Sequence, residues 1–253
     1  GVSAGACNAL DYVSRQIGRT RDCMIVTDEK NRYVNKNIKT IVEKKALLDM
    51  DMVFERYPYE VFPFDFDTYF ASPQTCELVV TNCETGRAEY LDDRENKERL
   101  LAIGRASSSM PIACPMVEID GNEYVDGGVA DSIPVHHALE HGCDKVVIIL
   151  SNPRDFVKQP EAHRPIYKRM LRRYPKTIEG IDHRHINYQA SIDLSNRLEK
   201  EGRALIFAPS RHLPLGTFSR DAALEQKLYD LGVSDYEAKR AALQEFLKAQ
   251  GHS

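Results

Sequence analysis

The chain has 253 residues, of which 42% are hydrophobic and 28% are charged, and its formal net charge at pH 7 is −4. This composition is typical of a folded protein with a sizeable core, and the acidic balance argues against a nucleic-acid-binding protein. The longest apolar run, residues 146–150, has the length of a buried strand and is too short to cross a membrane.

Six cysteines are scattered along the chain, with no C-x-x-C pair and no histidine at the spacing of a zinc site. They are Cys7, Cys23, Cys76, Cys83, Cys114 and Cys143. In a chain of this size, such a pattern indicates reduced thiols in a cytoplasmic protein, several of them in the core. It predicts neither a metal site nor another cofactor.

The first stretch that suggests chemistry is the N-terminal sequence GVSAG, residues 1–5. It has the Gly-x-Ser-x-Gly form of a nucleophile elbow, a tight strand-to-helix turn that leaves the hydroxyl of Ser3 exposed. We expect a side chain at Gly1 or Gly5 to collide with the neighbouring strand or to block the approach of substrate. Because a serine hydroxyl is a poor nucleophile at its free pKa, a second group must activate Ser3.

The remaining elements alternate between helices and strands. We predict helices from Ala4 up to Gly18 (with Leu10, Val13 and Ile17 on its apolar face), at 36–50, at 94–106, from Pro134, across 164–202 with breaks near Pro175 and Gly180, near 221–231 and at 234–249. We predict strands at 76–82, 87–91, 115–119, 122–125, 144–150 and 204–207, with a short strand or loop at 23–26.

This alternation favours one α/β domain over residues 1–253, with three layers and a mostly parallel central sheet. Residues 1–150 would carry the catalytic blocks, and residues 151–253 would form a mostly helical part of the same unit. The strands at 115–119 and 122–125 are expected to form a hairpin across Asp120 and Gly121, since Asp-Gly favours the tight turns of hairpins.

Two stretches each allow two interpretations. Residues 54–74 are rich in aromatic residues and proline, and they form either a cap packed on the core or an acyl-chain and lid surface. Residues 168–173 and Lys176 are basic, and they form either a solvated helix face or a surface that contacts anionic lipid headgroups at the periphery of a membrane.

Three kinds of group are candidates for the base that activates Ser3. A histidine would follow the order of the α/β hydrolases, but the late histidines lie in polar, basic or terminal contexts; they are His183, His185, His212 and His252. A lysine has no positional support. Asp126 directly follows an apolar strand and precedes Gly127 and Gly128, a position at which a side chain is presented at the rim of a sheet.

With these residues in view, the sequence resembles the patatin-like phospholipases of the bacterial type. Ser3 in GVSAG matches the nucleophile of that family, and Asp126 in DGG matches its aspartate. Residues 106–111 (ASSSMP), which include Ser107, are similar to the Ala-Ser-x-x-x-Pro block, and 133–135 (IPV) match the helix start that follows the aspartate. The four blocks occur in the family's order over about residues 1–150.

The resemblance implies a serine acyl-ester hydrolase that acts on lipid or small ester substrates through a Ser3–Asp126 dyad and an acyl-enzyme. Ala4 N–H would contribute one oxyanion donor, and no metal is required. Family members carry a glycine-rich oxyanion loop upstream of the elbow, so the chain is expected to be an N-terminally truncated portion that lacks the first strand and this loop. Two alternatives stay open: a catalytically silent lipid- or partner-binding protein, and a histidine-dependent carboxylesterase.

Overall fold

The structure is a computed structural model that describes residues 1–35, 41, 46–216 and 221–248. Its contacts divide the chain into two units, each continuous in space but not in sequence. Unit 1 consists of Gly1–Pro134 and Gln159–Tyr188, and unit 2 consists of Val135–Lys158 and Gln189–Ser253. The single domain predicted for residues 1–253 stays a prediction.

A four-stranded antiparallel sheet forms the centre of unit 1. Its strands are β1 (Leu78–Asn82), β2 (Ala88–Leu91), β3 (Val117–Ile119) and β4 (Asn122–Asp126), in the spatial order β2-β1-β4-β3. The hairpin predicted at Asp120 and Gly121 is present, with positive φ angles of 52° and 79° that fit the twist of a two-residue hairpin turn. A second hairpin is formed by β1 and β2, which pair antiparallel.

The mostly parallel central sheet that we predicted is not confirmed, because short turns join β1 to β2 and β3 to β4, and such turns reverse the chain. Parallel pairing among the described residues is limited to two places. Val2 pairs with Val79 of β1. In unit 2, β5 (Val146–Ile149) pairs with β6 (Ala204–Phe207). The coarser prediction of an α/β fold is confirmed.

The described helices are α1 (Ala4–Val13), α2 (Arg19–Met24), α3 (Phe66–Ala71), α4 (Lys97–Ser107), α5 (Val135–Glu140), α6 (Arg164–Met170), α7 (Pro175–Lys200) and α8 (Ala222–Lys248). Short 3₁₀ turns occur at Glu29–Asn31 and Gly127–Val129, and a π-helical segment covers Met52–Val61. None of the helices in the described part of the chain has the length and apolar character needed to span a bilayer.

Several predicted helix boundaries were wrong. Cys23 and Met24 belong to α2 and not to the predicted short strand or loop, and α8 runs without the predicted interruption near residue 232. The helix α7 begins at Pro175 as predicted but continues through Gly180, where a Cβ would lie 3.3 Å from Val129 Cγ1. Ile17 is fully exposed and lies beyond α1. Of the helix predicted at 36–50, residues 36–40 and 42–45 lie outside the described residues.

The sheet carries an apolar cluster on each face, because successive strand residues point to opposite sides. On one face, Leu78 and Val80 pack with α1 and α4. On the other face, Val125 packs with residues of α6 and α7. All five residues of β1 are buried, as expected for a strand that is covered on both faces.

The aromatic stretch at 54–74 contributes mainly to the core. Phe64, Phe66 and Tyr69 belong to the same cluster as β1, and Phe54 packs beside Cys114 in another. Tyr59, by contrast, is 51% exposed. The packed-cap interpretation therefore accounts for most of these side chains.

Candidate active site

Ser3 occupies a strained turn between an extended segment and a helix. Gly5 N–H donates to Val2 O at 2.8 Å, which closes a four-residue turn with Ser3 at its second position. The backbone angles of Ser3 are φ 54° and ψ −124°, the values of a type II′ turn at a position that glycine normally occupies. For a serine this conformation costs about 1–3 kcal/mol, and such strain is concentrated at functional sites.

The two glycines of the elbow differ in their surroundings. A Cβ at Gly1 would lie 2.5 Å from Gly5 O and 2.9 Å from Ala6 Cα, so a side chain there is excluded by the first turn of α1. A Cβ at Gly5 would meet nothing within 4 Å. The predicted collision therefore applies to Gly1 but not to Gly5, and the excluding group is the helix rather than a neighbouring strand.

Asp126 reaches the elbow because two chain segments meet end to end along one edge of β1. Val2 pairs in parallel with Val79, and Asp126, the last residue of β4, pairs antiparallel with Val80. Since residues 79 and 80 are neighbours, the segment entering Ser3 and the strand ending at Asp126 terminate side by side. Asp126 is only 2% exposed, and its Oδ1 accepts a hydrogen bond from Gly128 N–H at 2.7 Å.

The segment at 106–111 connects the elbow with the aspartate. Ser107 is fully buried at the end of α4. Its Oγ accepts a hydrogen bond from Ser3 N–H, with a donor–acceptor distance of 3.0 Å. Two residues later, Ser109 O accepts a hydrogen bond from Asp126 N–H at 2.9 Å. The end of α4 thus holds the backbones of both predicted dyad residues.

Replacing Ser107 with alanine is expected to lower the free energy of unfolding by about 1–3 kcal/mol, since the Ser3 N–H would lose its acceptor. Any ester turnover should fall with it, because the strained elbow would lose one of the contacts that fix it. Urea unfolding and ester kinetics of Ser107→Ala check this. The neighbouring Ser108→Ala, whose Oγ lies 4.0 Å from Cys7 Sγ, serves as the control and should change both quantities less.

Gly127 and Gly128 each make room for a specific neighbour. A Cβ at Gly127 would lie 2.1 Å from Val79 O, so the absence of a side chain lets the chain after β4 approach the backbone of β1. A Cβ at Gly128 would lie 2.9 Å from Arg184 Nη2 and 3.0 Å from Asp126 Oδ1. The chain turns sharply at this pair, in the 3₁₀ turn at Gly127–Val129.

The electrostatic setting at the start of α1 favours negative charge. Ala4 is the first residue of this ten-residue helix, and no acidic residue lies in the first turn. Among the described residues, nothing accepts a hydrogen bond from Ala4 N–H. The amide therefore points a free donor and the positive end of the helix dipole at the space next to Ser3.

Cys7, which lies about one helical turn beyond Ser3, is the thiol nearest to it in sequence. Burial raises the pKa of the Cys7 thiol to about 11, so this neighbour stays protonated at neutral pH. The Ser3 hydroxyl itself makes no hydrogen bond to any described residue. In unliganded sites, the bond between nucleophile and base is often long and tightens only when substrate binds.

The candidate histidines are placed as follows. His183 is exposed, with its Nδ1 2.9 Å from Glu179 O in α7, and His212 is exposed as well. His185 is half-buried, and His252 lies outside the described residues. Within the described ranges, no group of three or more His, Cys, Asp or Glu side chains is arranged to hold a metal ion.

Two contributors to this site were missed by the sequence analysis. Ser109 acts through its backbone carbonyl, which no residue type reveals. Arg184 lies in a charged helical stretch, and its sequence context does not distinguish it from the surface arginines around it. The spacing of Thr177, Ile181 and Arg184 on one face of α7 was the signal available, since it is the spacing of a packed helix face.

Two family models match the chain. The model described as patatin-like phospholipase matches residues 1–139, which is more than half of the chain. A second, described as a domain of unknown function (DUF6363), matches residues 174–248. The uncharacterized protein YjjU of Escherichia coli (strain K12) is 27% identical over 247 residues, which cover 92% of this chain and 65% of YjjU. The chain thus spans less than two thirds of that relative's length. By its match over residues 1–139, the chain belongs to the patatin-like phospholipase family.

Proposed function

We propose that the chain is a serine lipid acyl hydrolase in which Ser3 is the nucleophile and Asp126 the base. The observation that carries this proposal is the type II′ conformation of Ser3, at φ 54° and ψ −124°, on a turn that ends beside Asp126. A serine is held in a conformation that glycine would adopt at lower cost only where the surrounding structure enforces it. Here the turn is held by two hydrogen bonds, from Ser3 N–H to Ser107 Oγ and from Gly5 N–H to Val2 O.

In the proposed reaction, Asp126 accepts the Ser3 proton as Ser3 Oγ forms a bond with the ester carbonyl carbon. The negative charge that develops on the carbonyl oxygen is stabilised by Ala4 N–H and by the positive end of the α1 dipole. The carbon–oxygen bond to the alcohol then breaks, and the alcohol leaves with the proton from Asp126. Water attacks the acyl-enzyme by the reverse sequence of proton transfers and releases the fatty acid.

Asp126 suits the role of base because a hydrogen bond favours its ionised form and fixes the orientation of its carboxylate. Asp126 is buried, but Oδ1 accepts from Gly128 N–H, and a hydrogen bond to the carboxylate favours the ionised form. That bond also fixes the rotation of the carboxylate with respect to the turn at Gly127–Val129. A base that is already oriented needs no rearrangement in the transition state.

A fluorophosphonate probe tests the proposal because it reacts only with activated serines. We expect the full-length protein to be labelled, and peptide mass mapping should place the adduct on Ser3. The rate of hydrolysis of short-chain phospholipids should fall in proportion to the fraction of protein that is labelled. Absence of labelling and of turnover would overturn the proposal in favour of a silent binding protein, and an adduct on another serine would overturn the assignment of Ser3.

A further inference from the structure

An arginine from α7 lies directly against the turn that follows Asp126. The position that a Cβ would take at Gly128 is 2.9 Å from Arg184 Nη2 and 3.0 Å from Asp126 Oδ1. The guanidinium and the carboxylate are therefore separated by no more than the sum of these two distances. Gly128 is the residue that makes this approach possible, because any side chain there would displace the guanidinium.

The position of Arg184 is set by the packing of α7 on the rest of unit 1. Thr177 Oγ1 donates to Cys83 O at 2.6 Å, and Gly180 packs against Val129, the last residue of the 3₁₀ turn. Arg184 lies one turn further along the same face. The helix is also held from α6, where Arg164 pairs with Asp182 at 2.7 Å and keeps the pKa of that carboxyl low, at about 2.

The guanidinium is incompletely satisfied by the protein. Its Nη1 lies 3.9 Å from Glu161 Oε2, the outer limit of an ion pair. Its Nε is buried, and no described residue accepts a hydrogen bond from it. A buried donor without an acceptor is costly, and the planar fork of arginine fits the two oxygens of a phosphate or carboxylate. The Nε donor is therefore available to an oxygen of a bound anion.

We infer that Arg184 is an anion-binding residue of this site and that it holds a phosphate group of the ester substrate beside the Ser3–Asp126 dyad. This inference rests on the proposed function and deepens it. Arg184 lies in the segment matched by the domain of unknown function, whereas the dyad lies in the patatin-like segment. The segment at residues 174–248 would thus contribute to substrate selection at a site whose dyad lies in residues 1–139.

The test compares kcat/KM of the full-length protein for two short-chain substrates, diheptanoyl phosphatidylglycerol and the neutral diheptanoyl glycerol. In Arg184→Gln, the ratio of the phosphate-bearing to the neutral substrate should fall about tenfold to a hundredfold, because a charge-assisted bidentate contact is lost. Arg184→Lys should restore part of the ratio. The matched control Arg15→Gln, at an exposed position just beyond the C-terminal end of α1, should leave the ratio unchanged.

Free phosphate is distinguished from a lipid phosphate by competition. If the subsite accepts inorganic phosphate, this ion should inhibit the wild type more strongly than Arg184→Gln; if it requires the lipid, only the substrate ratio should change. Either result supports an anion subsite. An unchanged ratio, or an equal loss on both substrates, would overturn the inference and leave Arg184 a structural residue.

A binding measurement keeps this inference separate from the proposed function. Calorimetric titration of Ser3→Ala with diheptanoyl phosphatidylglycerol needs no turnover, and Kd should rise about tenfold or more when Arg184→Gln is added. If the wild type shows no hydrolysis or labelling but this difference in Kd is present, the proposed reaction fails and the anion subsite stands. Equal Kd values in the two variants would overturn the subsite whether or not esters are hydrolysed.

Discussion

Replacing Ser3 with alanine in the full-length protein is expected to lower ester turnover at least about a thousandfold, because the atom that forms the acyl-enzyme is removed. Fluorophosphonate labelling should disappear as well. The fold should persist, because the contacts of Ser3 that hold the elbow, through its N–H to Ser107 and its carbonyl oxygen to Ala6, belong to the backbone. Circular dichroism and the unfolding midpoint verify that persistence.

Asp126→Asn is the companion variant, and turnover should fall at least about a hundredfold, since proton transfer by a positioned base contributes that much or more. The amide oxygen of asparagine can still accept from Gly128 N–H, so the turn after β4 should be retained. Asp67→Asn, at an exposed position in α3, is the control and should keep wild-type turnover. Wild-type kinetics in Asp126→Asn would contradict the dyad.

Comparing Ser3→Gly with Ser3→Ala distinguishes the loss of the hydroxyl from the backbone strain at residue 3. Both Ser3→Ala and Ser3→Gly lack the hydroxyl, so both should be inactive. Because the type II′ position has a positive φ of 54°, glycine should relieve a cost of about 1 kcal/mol that alanine keeps. Ser3→Gly should therefore unfold at a higher urea concentration than Ser3→Ala. A lower midpoint for the glycine variant would show that the turn is not strained.

The second large effect is expected at Gly127, where alanine should lower the free energy of unfolding by about 3 kcal/mol or more. The added Cβ would lie 2.1 Å from Val79 O and 2.5 Å from Val79 C, both backbone atoms of the central strand β1. Neither atom can move without disturbing the pairing of β1 with β4 or with Val2. Urea unfolding monitored by circular dichroism measures the loss.

Gly5→Ala is the matched control for Gly127→Ala, since the added Cβ would meet nothing within 4 Å. Gly5 lies inside α1, where alanine is the better helix former by about 1 kcal/mol, so this variant should be as stable as the wild type or more so. Equal stability of Gly127→Ala and Gly5→Ala would contradict the close approach of the chain after β4 to β1. If Gly127→Ala fails to fold while Gly5→Ala folds, the result supports that close approach.

Local sequence patterns were sufficient wherever neighbouring residues determine the structure. The hairpin at Asp120 and Gly121 was predictable because two residues with positive φ angles define that turn by themselves. The strand at 204–207 was predicted with its observed bounds, because a short apolar run between turn residues leaves few alternatives. The family was recognisable from four short blocks that keep their order along the chain.

The direction of strand pairing was harder to predict because it depends on which strands meet, and an alternation of helices with strands is compatible with more than one sheet order. Helix continuity was missed for a related reason. Gly180 weakens a helix by its intrinsic propensity, but α7 continues through it where the helix packs closely on Val129, with a Cβ position 3.3 Å from Val129 Cγ1. Tertiary packing outweighed the local preference at this position.

The residue types of the candidate site could be predicted, since Ser3 and Asp126 are recognisable from the glycines around them. How these residues are assembled could not be predicted and became visible in the folded chain. The edge of β1 brings the two segments end to end, Ser107 and Ser109 at the end of α4 hold their backbones, and α7 adds Arg184 from another part of the chain. These contacts could not be predicted because they join residues far apart in sequence, through backbone atoms and close approaches that residue types do not encode.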